Sequence, residues 1–382
     1  MSDYERGVLF LFGIPALLGL VLGLWQWIAA VRFPLHQRVA DASFRPPVSL
    51  LKPLKGLDEH TLQCLESWLT QENAGEVQVL FGVASPDDPV CGAVRELLAR
   101  HPAARAELLI CPESFGANAK VSTLIQLSRR AAHEVIVVSD ADVRVPADFL
   151  RNAVAPLRDP NVGLVNCFYR LANPVTLAMR WEALAVNADF WSQVLQGKTL
   201  APLDFALGAV MITRRAQLTA IGGFEALANH LADDFQLGNR IFRAGASIAL
   251  CPVVVDCLTS PQTWGQVWAH QLRWARTIRV SKPLPYAASI ISNATLWPLL
   301  WLAITPGKWS LITLGASLVL RIASAYDLEK RLCPEQRSFP WLAPIKDLLQ
   351  TALWASAFLG HHVTWRGQRF RLRRDGTLLR EH

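Results

Sequence analysis

The stretch that decides the fold is Glu134–Asp142, EVIVVSDAD. Residues 135–138 are all β-branched and apolar, as a strand buried on both faces in a parallel sheet requires. Upstream, short apolar runs alternate with helical patterns. Val48–Leu51 and Val77–Val83 read as strands, and Leu108–Cys111 as a third. Between them, Asp58 can cap a helix through Gln71, and Val90–Leu98 and Lys120–Arg130 have helical spacing. Repeated βα order predicts an α/β fold: a mostly parallel sheet with helices on both faces. Ligands of such sheets bind beyond the carboxyl ends of the strands.

Four strand ends carry unusual residues. Lys52-Pro53-Leu54-Lys55-Gly56 follows the first, and Ser85-Pro86-Asp87-Asp88-Pro89 the second. Gly116-Ala117-Asn118-Ala119-Lys120 opens the third helix, and Asp140-Ala141-Asp142 follows EVIVVS. There is no GxGxxG and no GxxxxGK[ST], so dinucleotide and P-loop readings lose ground. An Asp-x-Asp triplet on a solvated turn is ordinary. Straight after a buried strand, its two hard oxygen ligands can hold Mg2+ or Mn2+, which in turn bridges a diphosphate.

Further on, Ala232-Asp233-Asp234 begins a helix. The pair reads as a helix start favoured by the dipole, or as coupled acids of which one has a raised pKa and accepts a proton near neutral pH. His270-Gln271-Leu272-Arg273-Trp274 lies on another helix. There the alternative is an interfacial Trp beside a snorkelling Arg.

The ends of the chain differ from its middle. Of 382 residues, 52% are hydrophobic and only 18% charged, with a net charge of +7. That excludes a disordered chain, since so much apolar surface can offset the entropy of ordering. Gly7–Val31 carries no charge and is long enough to cross a ~30 Å hydrocarbon core. It is too long for a signal-peptide core, and reads as an N-terminal anchor. Arg32, Arg38, Arg45, Lys52 and Lys55 follow it, which places residues 34–285 in the cytoplasm. Pro283–Gly307 is again uncharged, and Trp309–Leu320 follows a Thr-Pro-Gly break. These predict a membrane hairpin over 286–326, with Arg321 snorkelling to the interface. A third segment, 345–363, spans or lies in the interface, and Lys346 and Asp347 sit at its start. The tail from 364 to 382 is basic, with Arg366, Arg369, Arg371, Arg373, Arg374 and Arg380. Gly367 and Asp375-Gly376 mark the turns of a small hairpin. Such a cluster faces anionic lipid rather than nucleic acid, for which no signature is present. The seven cysteines include no CxxC and read as buried free thiols in a reducing compartment.

In this order, KPLKG, SPDDP, GANAK, DAD, ADD and HQLRW, followed by a membrane hairpin and a WRGQRFRL tail, resemble the ceramide glucosyltransferases. Those are inverting GT-A glycosyltransferases, and the bacterial hopanoid-biosynthesis glycosyltransferases share their architecture. The resemblance runs over roughly residues 45–380 and implies a GT-A domain that moves a hexose from a UDP-sugar to a lipid hydroxyl. It implies UDP-glucose or UDP-N-acetylglucosamine as donor, ceramide or a hopanoid polyol as acceptor, and a bacterial inner-membrane location. A processive polysaccharide synthase shares the acids and the RW element; it would need more spans to form a channel. Residue by residue, Asp88 takes the place of the first family Asp, near uracil and ribose, with Asp87 its alternative in the same run. Lys55 and Lys120 fall among the nucleotide-sugar contacts. Asp140 and Asp142 match the metal and diphosphate acids. Asp234 matches the catalytic base, with Asp233 beside it to cap or position. Arg273 and Trp274 match the RW at the diphosphate and acceptor side. His270 stands where the family has Gln or Arg, and joins the nucleotide-sugar contacts.

Overall fold

The computed structural model describes residues 7–41, 43–72, 75–365 and 368–381. The chain divides into two compact units. One comprises Pro34–Asn173, Ala201–Ser260 and Gly376–His382; the other comprises Met1–Phe33, Pro174–Leu200 and Pro261–Asp375.

The first unit is the α/β part. Its sheet contains β1 (Val48–Pro53), β2 (Val77–Val83), β3 (Arg105–Ile110), β4 (Val135–Ser139), β5 (Val143–Arg144), β6 (Val162–Leu171), β7 (Val210–Arg214) and β8 (Ser247–Cys257). Their order across the sheet is β3-β2-β1-β4-β7-β6-β8-β5. β3, β2, β1 and β4 pair in parallel, as do β6 and β8. β7 runs against both β4 and β6, and β5 runs against β8. The sheet is therefore mostly parallel. The continuous apolar runs of β1, β2 and β4 sit at its centre: Leu50, Leu51, Leu80, Phe81 and Val137 have no exposed surface. Each such side chain contributes roughly 1.5–3 kcal/mol on burial.

Helices Thr61–Leu69, Val90–Arg100 and Ala119–Arg130 connect the first four strands. Asp58 does not cap the first of them. Its carboxylate accepts from the His60 amide at 2.7 Å and from the Ser260 hydroxyl at 2.5 Å, and the helix starts three residues on. The insertion of β7 matters most for the site. Antiparallel pairing aligns Ser139, the last residue of β4, with Val210, the first of β7. The residues just before β7 thus lie beside the turn that follows β4.

The second unit is helical and apolar. Leu9–Val31 and Lys308–Leu332 are long and apolar enough to cross a membrane. The first arm of the expected hairpin is not one helix. Pro283–Ser292 and Leu296–Ile304 meet at a 55° bend, and together they make at most one further span. The break falls at Asn293, whose side-chain oxygen accepts the Thr295 and Leu296 amides. Ala343–Phe358 is a 16-residue helix, and His362–Trp365 and Gln368–Leu372 pair as an antiparallel hairpin. Its expected turn at Gly367, and Arg366, lie outside the described residues. Residues 177–198 are helical throughout, with a π-helical stretch at Ala185–Phe190.

Arg321 does not snorkel. It is 9% exposed and bonds Asp347 through Nε at 2.9 Å and Asp189 through Nη2 at 2.7 Å. Lys346, also buried, pairs with Asp189 and lies 2.8 Å from Asp347. Two cations and two anions close one buried network, because an unpaired charge there would cost several kcal/mol. The network joins Lys308–Leu332 to Ala343–Phe358 and to the π-helical stretch.

Candidate active site

The turn Asp140–Ala141–Asp142 leaves the carboxyl end of β4 and is fastened from beneath. Lys52, at the end of β1, is fully buried. Its ammonium donates to the Asp140 carbonyl at 2.6 Å, the Ser139 hydroxyl at 3.2 Å and the Val143 carbonyl at 3.5 Å. Trp68 donates its indole N–H to the same Val143 carbonyl and lies 5.2 Å from the ammonium. The Cys64 thiol and the Leu258 amide both donate to the Asp142 carbonyl. Burial pushes Lys52 down to about 8, against the pull of the neighbouring acids.

Above the turn, Asp140 meets Lys120, whose Nζ lies 2.8 Å from its Oδ1 and 3.0 Å from Asp233 Oδ2. Burial alone would lower Lys120; Asp140 and Asp233 more than offset it and hold the ammonium charged. Lys120 gets there because Asn118 caps its helix, accepting from the Val121 amide at 3.1 Å. The other end of the Asn118 amide donates to the His230 carbonyl at 2.8 Å. Gly116 sits so close to Ala228 that a Cβ would lie 2.5 Å from the Ala228 carbonyl oxygen. The GANAK loop is thereby sewn to the segment that leads into Asp233–Arg243. A strand from the C-terminal end completes that segment: Leu231 donates to the Gly376 carbonyl, and Leu378 to the Asn229 carbonyl.

Asp234 follows Asp233 in the first helical turn and accepts its neighbour Phe235's amide at 2.7 Å. Burial, and then the Asp233 carboxylate, push Asp234 up to about 6; Lys120 opposes them. Gly208, just before β7, faces this carboxylate: a Cβ there would stand 2.8 Å from Asp234 Oδ2. Ala209 beside it accepts the Asp140 amide at 3.3 Å. Asp140, Lys120, Asp233 and Asp234 thus form one cluster.

Asp140 and Asp142 offer hard oxygen donors, and 38% of the Asp140 side chain is open to solvent. Among the described residues, no group of three or more His, Cys, Asp or Glu side chains converges as a metal cage. Two carboxylates would fit a divalent cation that takes its other oxygen ligands from a bound ligand and water.

Asp88 is committed to backbone, accepting from the Gly56 and Val90 amides at 3.0 Å. It ties the loop after β1 to the loop after β2. Lys55 and Asp87 are exposed.

His270, Arg273 and Trp274 belong to the helical unit, on the helix Trp264–Ser281 that a Thr263–Gln266 capping box opens. His270 Nδ1 lies 2.6 Å from Glu182 Oε1, which also accepts from Gln271 at 2.8 Å. Trp274 meets the His270 ring edge to face at 4.8 Å. Glu182 is buried, and sequence reasoning missed it, as it missed Lys52's grip and Gly208. For Glu182 the one available signal was a carboxylate in an apolar helical stretch.

A family profile described as Glycosyl transferase family 21 matches residues 10–378. Among curated proteins, a ceramide glucosyltransferase of Caenorhabditis elegans is 24% identical over 222 residues, 57% of this chain and 48% of that protein. An N-acetylglucosaminyltransferase of a Rhizobium species is 21% identical over 258 residues, 64% of this chain and 55% of that one. The chain spans about half the length of the curated relatives it matches. Among solved structures, a mannosyltransferase from Pyrobaculum calidifontis, in complex with GDP-Man and Mn2+, superposes with a TM-score of 0.56 at 21% identity. That alignment covers 92% of this chain and 93% of the other, and the likeness is one of GT-A-like fold.

Proposed function

The chain belongs to glycosyl transferase family 21, and from that membership we propose that it transfers a hexose from a UDP-sugar to a hydroxyl of a membrane lipid, with inversion. Glucose moved to ceramide and N-acetylglucosamine moved to a hopanoid polyol are the two donor–acceptor pairings. The names of the relatives support the two sugars. In the proposal, residues 34–285 work on the cytoplasmic side of a bacterial inner membrane, held there by the apolar helices.

The observation that carries this reading is Asp234, a carboxyl raised to about 6 and clustered with Asp233, Lys120 and Asp140. A general base is most effective when its pKa lies near the working pH. Asp234 takes the proton of the acceptor hydroxyl as its oxygen attacks the sugar C1. The C1–phosphate oxygen bond breaks on the opposite face, and UDP leaves with the electron pair. An α-linked donor then yields a β-linked product. Lys120 fixes Asp233 and Asp140 to one cation, so the acids on the base side and on the diphosphate side keep a constant spacing. When bound to Asp140 and Asp142, Mg2+ or Mn2+ supplies charge neutralisation for the diphosphate. Arg273 at the diphosphate, Trp274 toward the acceptor and His270 toward the nucleotide sugar are proposed on the HQLRW motif.

The test is the full chain in detergent, offered UDP-glucose or UDP-N-acetylglucosamine with ceramide or a hopanoid polyol. Mass spectrometry of the lipids should show one sugar added by the wild type, at a rate that falls at least ~10²-fold in Asp234→Asn. A wild type inert with every pairing, or an Asp234→Asn variant with full turnover, overturns the proposal.

A further inference from the structure

Lys52 takes no part in the reaction proposed above, yet it is one of the most buried cations in the chain. Burying an ammonium is costly and calls for a full set of acceptors. Lys52 has three N–H donors and three oxygens for them: one hydroxyl and two backbone carbonyls. All three belong to Ser139, Asp140 and Val143, the residues in and around the Asp-x-Asp turn. Two of the three are backbone carbonyls, so these bonds hold the backbone of the turn itself. Trp68 and Cys64 add donors to the carbonyls of Val143 and Asp142. The turn is held at three of its carbonyls, those of 140, 142 and 143.

We infer that Lys52 is a positioning residue that fixes the Asp140–Val143 turn in the geometry needed to take a divalent cation, and so sets the metal affinity of the site. The inference rests on the Asp140/Asp142 metal reading. Its chemistry is that of an outer-shell partner: such groups orient ligating carboxylates, and losing one typically costs about 10–100-fold in metal affinity. A filler lysine would behave differently. Its loss would lower stability and leave the affinity of the surviving folded protein alone.

The experiment measures Mn2+ binding by the full chain in detergent with UDP present, from the loss of the free Mn2+ paramagnetic resonance signal. Wild type, Lys52→Met, Lys52→Arg and Asp142→Ala are compared. Lys52→Met should bind Mn2+ at least ~10-fold more weakly, Lys52→Arg should recover part of the loss, and Asp142→Ala should lose the site. The Mn2+ concentration for half-maximal transfer should rise in Lys52→Met by the same factor as the binding constant. Folded Lys52→Met with wild-type Mn2+ affinity overturns the inference. If wild type and Asp142→Ala bind Mn2+ equally, the metal reading itself falls, and Lys52 with it. Should Lys52→Met fail to fold, Lys52→Arg decides. Its planar fork cannot repeat the three bonds of the ammonium, so its Mn2+ affinity should fall below wild type, and an affinity equal to wild type overturns the inference.

Discussion

An aspartic acid in an unfolded chain releases its proton near pH 4, whereas Asp234 holds its proton up to about 6. Because the folded value is the higher one, the contribution of this group to stability is complete below about pH 4 and is lost as the pH climbs through 6. Ionised Asp234 therefore costs stability at the pH where the proposal has it act as a base. Asp234→Asn should unfold at higher denaturant than wild type at pH 8, by about 1–3 kcal/mol, and the gap should close by pH 4. A less stable variant at pH 8 would show that the carboxylate is welcome where it sits. The rate responds in the opposite direction: wild-type turnover should fall below about pH 6, and Asp234→Asn should lose ~10²–10⁴ in turnover with UDP-sugar binding intact. Asp233→Asn should cost less in the chemical step and more in stability, since buried Lys120 would keep only Asp140 as a carboxylate partner. Turnover lost in Asp233→Asn but kept in Asp234→Asn would move the base by one position. The adjacent acids were legible in the sequence because their spacing alone implies coupling. Asp234 is raised first by its burial and then by Asp233, and that burial is made by segments distant in the chain, so no local pattern carries it.

At the scale of elements, the reversed strand β7 brings Gly208 against Asp234. Alanine at 208 would place a methyl 2.8 Å from Oδ2, so the carboxylate must move. A displacement approaching 1 Å can cost ~10²-fold in rate. Gly208→Ala should therefore approach Asp234→Asn in turnover, measured in the same transfer reaction; a near-normal rate would mean that the carboxylate has room to spare. Nothing in a Leu-Gly-Ala-Val stretch announces this, because the contact exists only once β7 is inserted between β4 and β6. The first half of the sheet was readable for the opposite reason: its strands and helices alternate in sequence as they alternate in space. Arg321 shows the same limit. Its helix reads correctly as apolar, but its partners Asp189 and Asp347 come from distant segments. Arg321→Met should destabilise the chain by ~3–5 kcal/mol, whereas Arg321→Met with Asp347→Leu should recover much of that. Unfolding in detergent, followed by proteolysis, separates the two; equal losses would mean that the network contributes through shape rather than charge.

For the whole molecule, the apolar helices at either end of the sequence and the basic residues after Val31 predict a defined sidedness. All seven cysteines are buried, so a single exposed cysteine gives a clean label. Glu113→Cys, on the exposed loop after β3, should resist a membrane-impermeant thiol reagent in intact cells and react in inverted vesicles. Labelling in intact cells would reverse the orientation. The two helices long and apolar enough to cross a membrane were readable from charge-free length alone. The division into units was not, because residues 174–200 and 261–285 carry no compositional mark that assigns them to the helical unit.

The backbone pairing of Asn229 and Leu231 with Gly376 and Leu378 has a consequence for how a chain comes into being. The loop beside the two acids leaves the ribosome roughly 150 residues before the strand that completes it, about 7–30 s at ordinary rates of synthesis. In that interval the long apolar helix Lys308–Leu332 has also been made. If that helix is a span, as its length and hydropathy allow, the nascent chain would meet the bilayer while the loop beside the two acids is still incomplete, and the proposed chemistry would wait until insertion is over.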